Sequence, residues 1–342
     1  MKKILFVLAT VTICIIMSVC CFAADVTLAG DGSAGNPYVI SDRQGFDYFA
    51  QNYTEFSGKY VSLECDIMLN SKDCFELDQN GNVTGVVGTP SAWIPIGTAS
   101  EPFSAYFNGN GNTIFGLYCD ANTAGLFGYV RNAKISDLRV YTSYIKATSL
   151  GGILCASADG ATQITDVVTS GFVTKNNTNT MATRLSGLVA VLYEDAKVTD
   201  SCAYATVVMP EVYVSYTGGL VADNMGTITG CGFDGNVVAT TSQIAYAGGI
   251  AAHSTGSVSR CYATGSVSAT SMGTQKETHL GGIVGAQENA SITKCESDVA
   301  LSVTNDTVSD SLSVIGGIAG YSQNSAVSNC KATRTILSDA TY

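Results

Sequence analysis

Four residues stand at the same distance before a recurring glycine pair, and their types suit ligand binding: Arg184, Tyr216, Tyr246 and His279 each lie three positions ahead of the second glycine. The residues that follow them, Leu185, Thr217, Ala247 and Leu280, read as inward-facing. The preceding side chains are therefore expected to face outward. Aromatic and planar polar groups repeated at one coil spacing could stack on sugar rings or grip an extended peptide. The plainer reading is a loop edge where tyrosine covers apolar surface.

Other residues test for catalysis and metal binding. Asp137 and Asp166 share a column, two residues after Ile135 and Ile164. Facing carboxylates could hydrolyse glycosides, and acid clusters with a nearby Lys or Arg could hold calcium for polysaccharide elimination. The remaining acids are scattered, so both aspartates read as solvated strand charges and no catalytic residue is assigned. His253 and His279 are the two histidines and are too far apart for a zinc helix. No metal site and no cofactor is expected. Asp78-Gln79-Asn80-Gly81-Asn82 has the oxygen-rich look of a calcium loop, but its glycine is misplaced for an EF-hand, and it reads as a turn.

The elements that position these residues follow from the glycines. The second glycines Gly125, Gly152, Gly187, Gly219, Gly249, Gly282 and Gly317 are 27, 35, 32, 30, 33 and 35 residues apart. Such a period marks a stacked solenoid. After each signature a strand opens on Ile or Val, and a cysteine column follows at Cys202, Cys231, Cys261, Cys295 and Cys330, with Leu138 and Val167 in the earlier coils. A position that accepts Leu, Val or Cys is an interior packing column. Spacings of 29, 30, 34 and 35 put one thiol in each coil, which cannot converge on a tetrahedral metal. A buried ladder of free thiols is expected, in which serine at Cys261 costs stability. Cys65 and Cys74 are better placed for a disulfide.

Alternation within coils and a period near thirty between them predict an all-β, single-stranded, right-handed parallel β-helix of about 9–10 coils. Leu126, Ile153, Leu188, Leu220, Ile250, Ile283 and Ile318 read as an aliphatic column, and Gly128, Cys155, Ala190, Ala222, Ala252, Gly285 and Gly320 as a narrow corner. Three segments are expected: a signal peptide over 1–23, a cap with irregular first coils over 24–118, and repeats over 119–342. Ser41-Asp42 should cap a short helix from about Arg43 to Tyr53, laid over the first coil. Asp73 to Pro90 is an insertion with a hairpin at Asn80-Gly81.

The glycine repeats, for example Gly248-Gly249-Ile250-Ala251-Ala252 through Ser257 to Gly265, resemble the GLUG motif of exported bacterial proteins. The leader Gly32 to Ile40, with Trp93 to Thr98 and Phe107 to Ile114, is similar to the segment preceding those repeats in that family. The resemblance implies a β-helix and export. For activity it implies little, because the family includes adhesin-like surface proteins and non-catalytic regions of secreted peptidases.

Composition agrees with export. Met1-Lys2-Lys3 precedes an apolar run from Ile4 to Val19, and loss of both lysines with the leader would take the formal charge from −11 to −13. An acidic chain is a poor partner for nucleic acid. The expected function is a non-catalytic scaffold that recognises a glycan or a protein, extracellular or on the bacterial cell surface, with no transmembrane segment in the mature chain. A polysaccharide-active lyase or hydrolase and a non-catalytic repeat region of a larger secreted protein are the alternatives. After Cys330 no helix, proline or charge cluster shields the last strand through Tyr342. Truncation or edge-to-edge self-association is expected there.

Overall fold

The computed structural model describes residues 26–176, 182–272, 276–306, 311–334 and 336–338. The expected leader over 1–23 lies outside them, as do Thr335 and residues 339–342 of the expected open edge.

The chain is a parallel β-solenoid. One column of paired residues climbs it without a break: Tyr38, Val61, Phe107, Ile135, Ile164, Val198, Ile228, Val258, Ile292 and Val327. A second sheet of seven strands, from Phe127–Arg131 to Ala319–Gln323, completes the upper turns. There are thus about seven full turns. The expectation of 9–10 coils is met only by counting the three partial rungs at the amino end.

Below the first full turn sits the helix Arg43–Gln51. Asp42 caps it, its carboxylate accepting from the Gly45 N–H at 2.7 Å. Phe46 and Phe49 have no exposed surface. Phe46 stacks on Trp93 at 5.4 Å, and Phe49 on Phe107 at 5.4 Å, so the helix plugs the end of the stack with aromatic rings. The insertion forms the expected antiparallel hairpin, Phe75–Leu77 with Val83–Val86. The Asp78 carboxylate accepts from the N–H groups of Asn80 and Asn82 at 2.8 Å each, the self-bonded turn that Asp favours.

Each turn has a sharp corner in which one residue takes a left-handed conformation: Asp137, Asp166, Asp200, Gly230, Arg260, Lys294 and Asn329, with φ between 49° and 68°. Asp, Asn and Gly tolerate that region because small polar side chains or none relieve the steric clash. Asp137 and Asp166 therefore sit at left-handed corners within the strands Lys134–Gly152 and Gln163–Lys175. Arg139 reaches both, at 3.7 and 3.3 Å.

Immediately after each corner comes the inward column: Leu138, Val167, Ser201, Cys231, Cys261, Cys295 and Cys330. Cys202 does not belong to it. Cys202 pairs with Val168 and Gly232 on the outer side and is partly exposed, while Ser201 takes the interior place. Counting from Val198 put the cysteine one residue late. All nine described cysteines are free, Cys65 and Cys74 among them.

The glycine columns also differ by one residue from the simple alignment. Gly151 pairs with Leu185 and Gly152 with Ser186, and Ser186 pairs with Gly218. Gly152 is thus equivalent to the first glycines Gly218, Gly248, Gly281 and Gly316, and Cys155 pairs with Val189 and Phe127 instead of occupying the narrow corner. Ala156 takes that corner beside Ala190. The need for glycine is a close approach. A Cβ on Gly187, Gly219, Gly249 or Gly282 would lie 2.1 to 2.4 Å from a glycine carbonyl oxygen of the next turn.

Candidate functional site

The four singled-out residues are brought together. Arg184, Tyr216, Tyr246 and His279 are in register on neighbouring strands, and Leu185, Thr217, Ala247 and Leu280 behind them are fully buried. Just beyond, a Cβ on Gly218, Gly248 or Gly281 would lie within 2.0 Å of the carbonyl oxygen three residues ahead. The chain folds back on its outer side there. Two outer faces are drawn towards each other, and the side chains of both meet in a re-entrant corner.

The second wall is supplied by Asp223 and His253, paired on adjacent strands of the seven-stranded sheet. Arg184 Nε donates to Asp223 Oδ2 at 2.8 Å, and His253 Nδ1 lies 3.0 Å from Asp223 Oδ1. Asp223 is 7% exposed. Burial alone would raise its pKa, but the hydrogen bonds from His253 and Arg184, with their charges, outweigh it and hold the carboxyl below its ordinary range.

The rings lie on the outer side as expected, but they cover one another. The Arg184 guanidinium lies over Tyr216 at 4.4 Å, Tyr216 stacks on Tyr246 at 4.9 Å, and Tyr246 stacks on His279 at 5.2 Å. Tyr321 meets His279 edge-on at 5.1 Å. Ring faces that sequence alternation offered to a sugar are consumed by one another. Half-burial pushes the Tyr246 phenol up to about 12. His279 is 3% exposed, and burial lowers its pKa although Glu277 lies 3.2 Å from Nε2. Its Nδ1 is buried with no hydrogen-bond partner among the described residues.

Asp223 and His253 are the members that the sequence reading missed. The signal was present, because each stands four residues after a second glycine, Gly219 and Gly249. Asp137 and Asp166 lie in a different column, at the left-handed corners. Among the described residues no group of three His, Cys, Asp or Glu is placed to hold a metal ion, and no helix is long and apolar enough to cross a membrane.

Known proteins agree with this architecture. Residues 311–337 match the family described as the GLUG motif. A "Putative Gly-rich membrane protein" of Evansella cellulosilytica is 31% identical over 126 residues, which are 36% of this chain and 13% of that protein. The crystal structure of a "putative immunoglobulin A1 protease" from Bacteroides ovatus superimposes with a TM-score of 0.56 at 16% identity, covering 91% of this chain and 79% of that one. The chain is a parallel β-solenoid that carries a GLUG motif. Its fold is shared with the Bacteroides ovatus structure.

Proposed function

We propose that this chain is an exported, non-catalytic scaffold that presents recognition surfaces outside the cell or on its surface. The observation that carries the reading is how the polar outer groups are used. Asp223 is held by Arg184 and His253, both corner aspartates by Arg139, and the aromatic rank by its own stacking. Such groups stiffen a display surface and leave little freedom for chemistry. The Gly-rich membrane protein of Evansella cellulosilytica supports a place at the cell envelope.

Protease treatment of intact producing cells, with fractionation of the medium, tests the location. The protein should be shed into the medium or cleaved from the surface; a pool protected inside the cell overturns the proposal. A polysaccharide-active enzyme is the second reading, favoured by His253, whose Nδ1 meets a carboxylate as in an oriented general base. New reducing ends or unsaturated products from a polysaccharide panel would establish it instead.

A further inference from the structure

We infer that the outer face around Tyr204 and Tyr262 binds a neutral glycan; the inference rests on the recognition reading above and supplies its ligand class. Tyr204 and Tyr262 are 45% and 44% exposed, and among the described residues neither is stacked on another ring. In this they differ from Tyr216 and Tyr246. Tyr204 pairs with Ser170 and Asp234, and Tyr262 with Gly232 and Glu296, so no paired neighbour stacks a ring on either and each stays nearly half exposed. The tyrosines lie two rungs apart, about 10 Å along the axis, and two residues apart across it.

The Tyr262 ring lies over Gly232 and its side chain hydrogen-bonds to that of Tyr204, so the two form one exposed aromatic ridge flanked by hollows. Two depressions of about 350 and 240 Å³ adjoin, the first lined by Tyr262, Thr264 and Glu296, the second by Tyr204, Asp234 and Asn236. Backbone at Gly171, Gly235 and Gly265 lines the second, in one register column with Ala205, whose methyl is buried in the core. A Cβ on Gly235 or Gly265 would lie within 2.0 Å of the preceding rung's carbonyl oxygen, so neither position admits a side chain.

The lining selects the ligand. Among the described residues the carboxylates of Asp234 and Glu296 make no hydrogen bond or ion pair, whereas that of Asp298 already takes the Thr333 hydroxyl at 2.6 Å and Arg334 at 3.3 Å. Free carboxylates beside exposed ring faces match a sugar, whose hydroxyls donate while its C–H face lies on an aromatic ring. Among the described residues no Lys or Arg lines either depression, which disfavours an anionic polymer. A cationic peptide could use the carboxylates, but it would find equal attraction elsewhere on a chain of net charge −11 and would gain nothing from the glycine-lined hollow.

Affinity electrophoresis of the full chain through gels containing hydroxyethylcellulose, laminarin or yeast mannan tests the inference, with poly-lysine binding measured in parallel. At least one neutral polysaccharide should retard the protein. Tyr204→Ala and Tyr262→Ala should each weaken that retardation at least tenfold, Tyr262→Phe should restore it, and the exposed Tyr213→Ala should leave it unchanged. Circular dichroism checks that each variant folds. Retardation by none of the three polysaccharides overturns the inference. So does retardation insensitive to both alanine variants, which leaves the recognition reading standing, and so does loss of poly-lysine binding alone. The location experiment reads the broader proposal separately.

Discussion

The backbone N–H of Cys261 donates to the sulfur of Cys295 at 3.4 Å, one turn away, while Cys295 Sγ donates to the Thr293 carbonyl at 3.4 Å. Cys295 N–H repeats the first contact with Cys330 at 3.4 Å. Ser201 does the same with oxygen, accepting from Val167 N–H at 3.0 Å and donating to the Thr199 carbonyl at 2.8 Å. Cys295 and Cys330 thus each close the corner of their own turn and accept an N–H from the turn before.

Serine should therefore be accepted in this column, contrary to what burial of a hydroxyl alone suggests. Cys295→Ser is expected to stay within about 1 kcal/mol of the parent, whereas Cys295→Ala leaves the Cys261 N–H unpaired and should cost about 1–3 kcal/mol. Urea unfolding of both variants measures the difference. A serine variant as destabilised as the alanine variant would sink the argument.

Thiol reactivity should follow the same column. Cys261 is pushed up to about 12, chiefly by its hydrogen bond to Cys231 with burial adding, and Cys155 is raised by complete burial. Iodoacetamide at pH 8 should spare Cys155, Cys261 and Cys295 in the native protein and modify the partly exposed Cys202 and Cys330, as read by peptide mass spectrometry. Equal labelling of all five would place the column at the surface.

Glycine at the bend should be irreplaceable even by alanine. A Cβ on Gly219 would lie 2.1 Å from the Gly249 carbonyl oxygen and 2.5 Å from the Phe233 ring, neither of which can retreat cheaply. Gly219→Ala is expected to cost about 1–3 kcal/mol or more by overpacking. The exposed Gly81, with nothing within 4 Å of its Cβ, is no fair control because its φ is +84°; Gly35, open and without that restraint, is the better one. An indistinguishable thermal midpoint for the Gly219 variant would show that the bend relaxes.

Acid should weaken the aromatic stack through His279. Its folded pKa lies below the ordinary 6.5, so the unfolded chain takes up the proton first as pH falls. Its contribution is complete above 6.5 and is lost as pH drops from there towards the folded value. Glu277, Glu288 and His253 surround it. His279→Phe keeps the stack on Tyr246 and removes the proton site, so its stability should vary less with pH across this window than the parent's. Parallel slopes for the two proteins would assign the dependence to other groups.

The fold was legible because glycine spacing and alternation are each imposed by one backbone repeat. Register was less so. Turns of unequal length hide which residues are neighbours, and a slip of one residue moved Cys202 out of the interior and Gly152 into another column. The rank of Arg184, Tyr216, Tyr246 and His279 was visible for the same reason the glycines were, but alternation tells which side a ring is on and not whether another ring covers it. Asp223 was invisible as a partner of Arg184 because they lie 39 residues apart and meet only across the re-entrant bend.

The aromatic plug has a consequence for the order of assembly. Phe46, Phe49, Trp93, Phe103, Phe107 and Phe127 all precede the second full turn in the chain, so a polypeptide emerging amino end first completes its largest block of buried rings before most repeats exist. Every later turn then docks on a finished edge about thirty residues behind it. The molecule is built for vectorial growth, with its template laid down first.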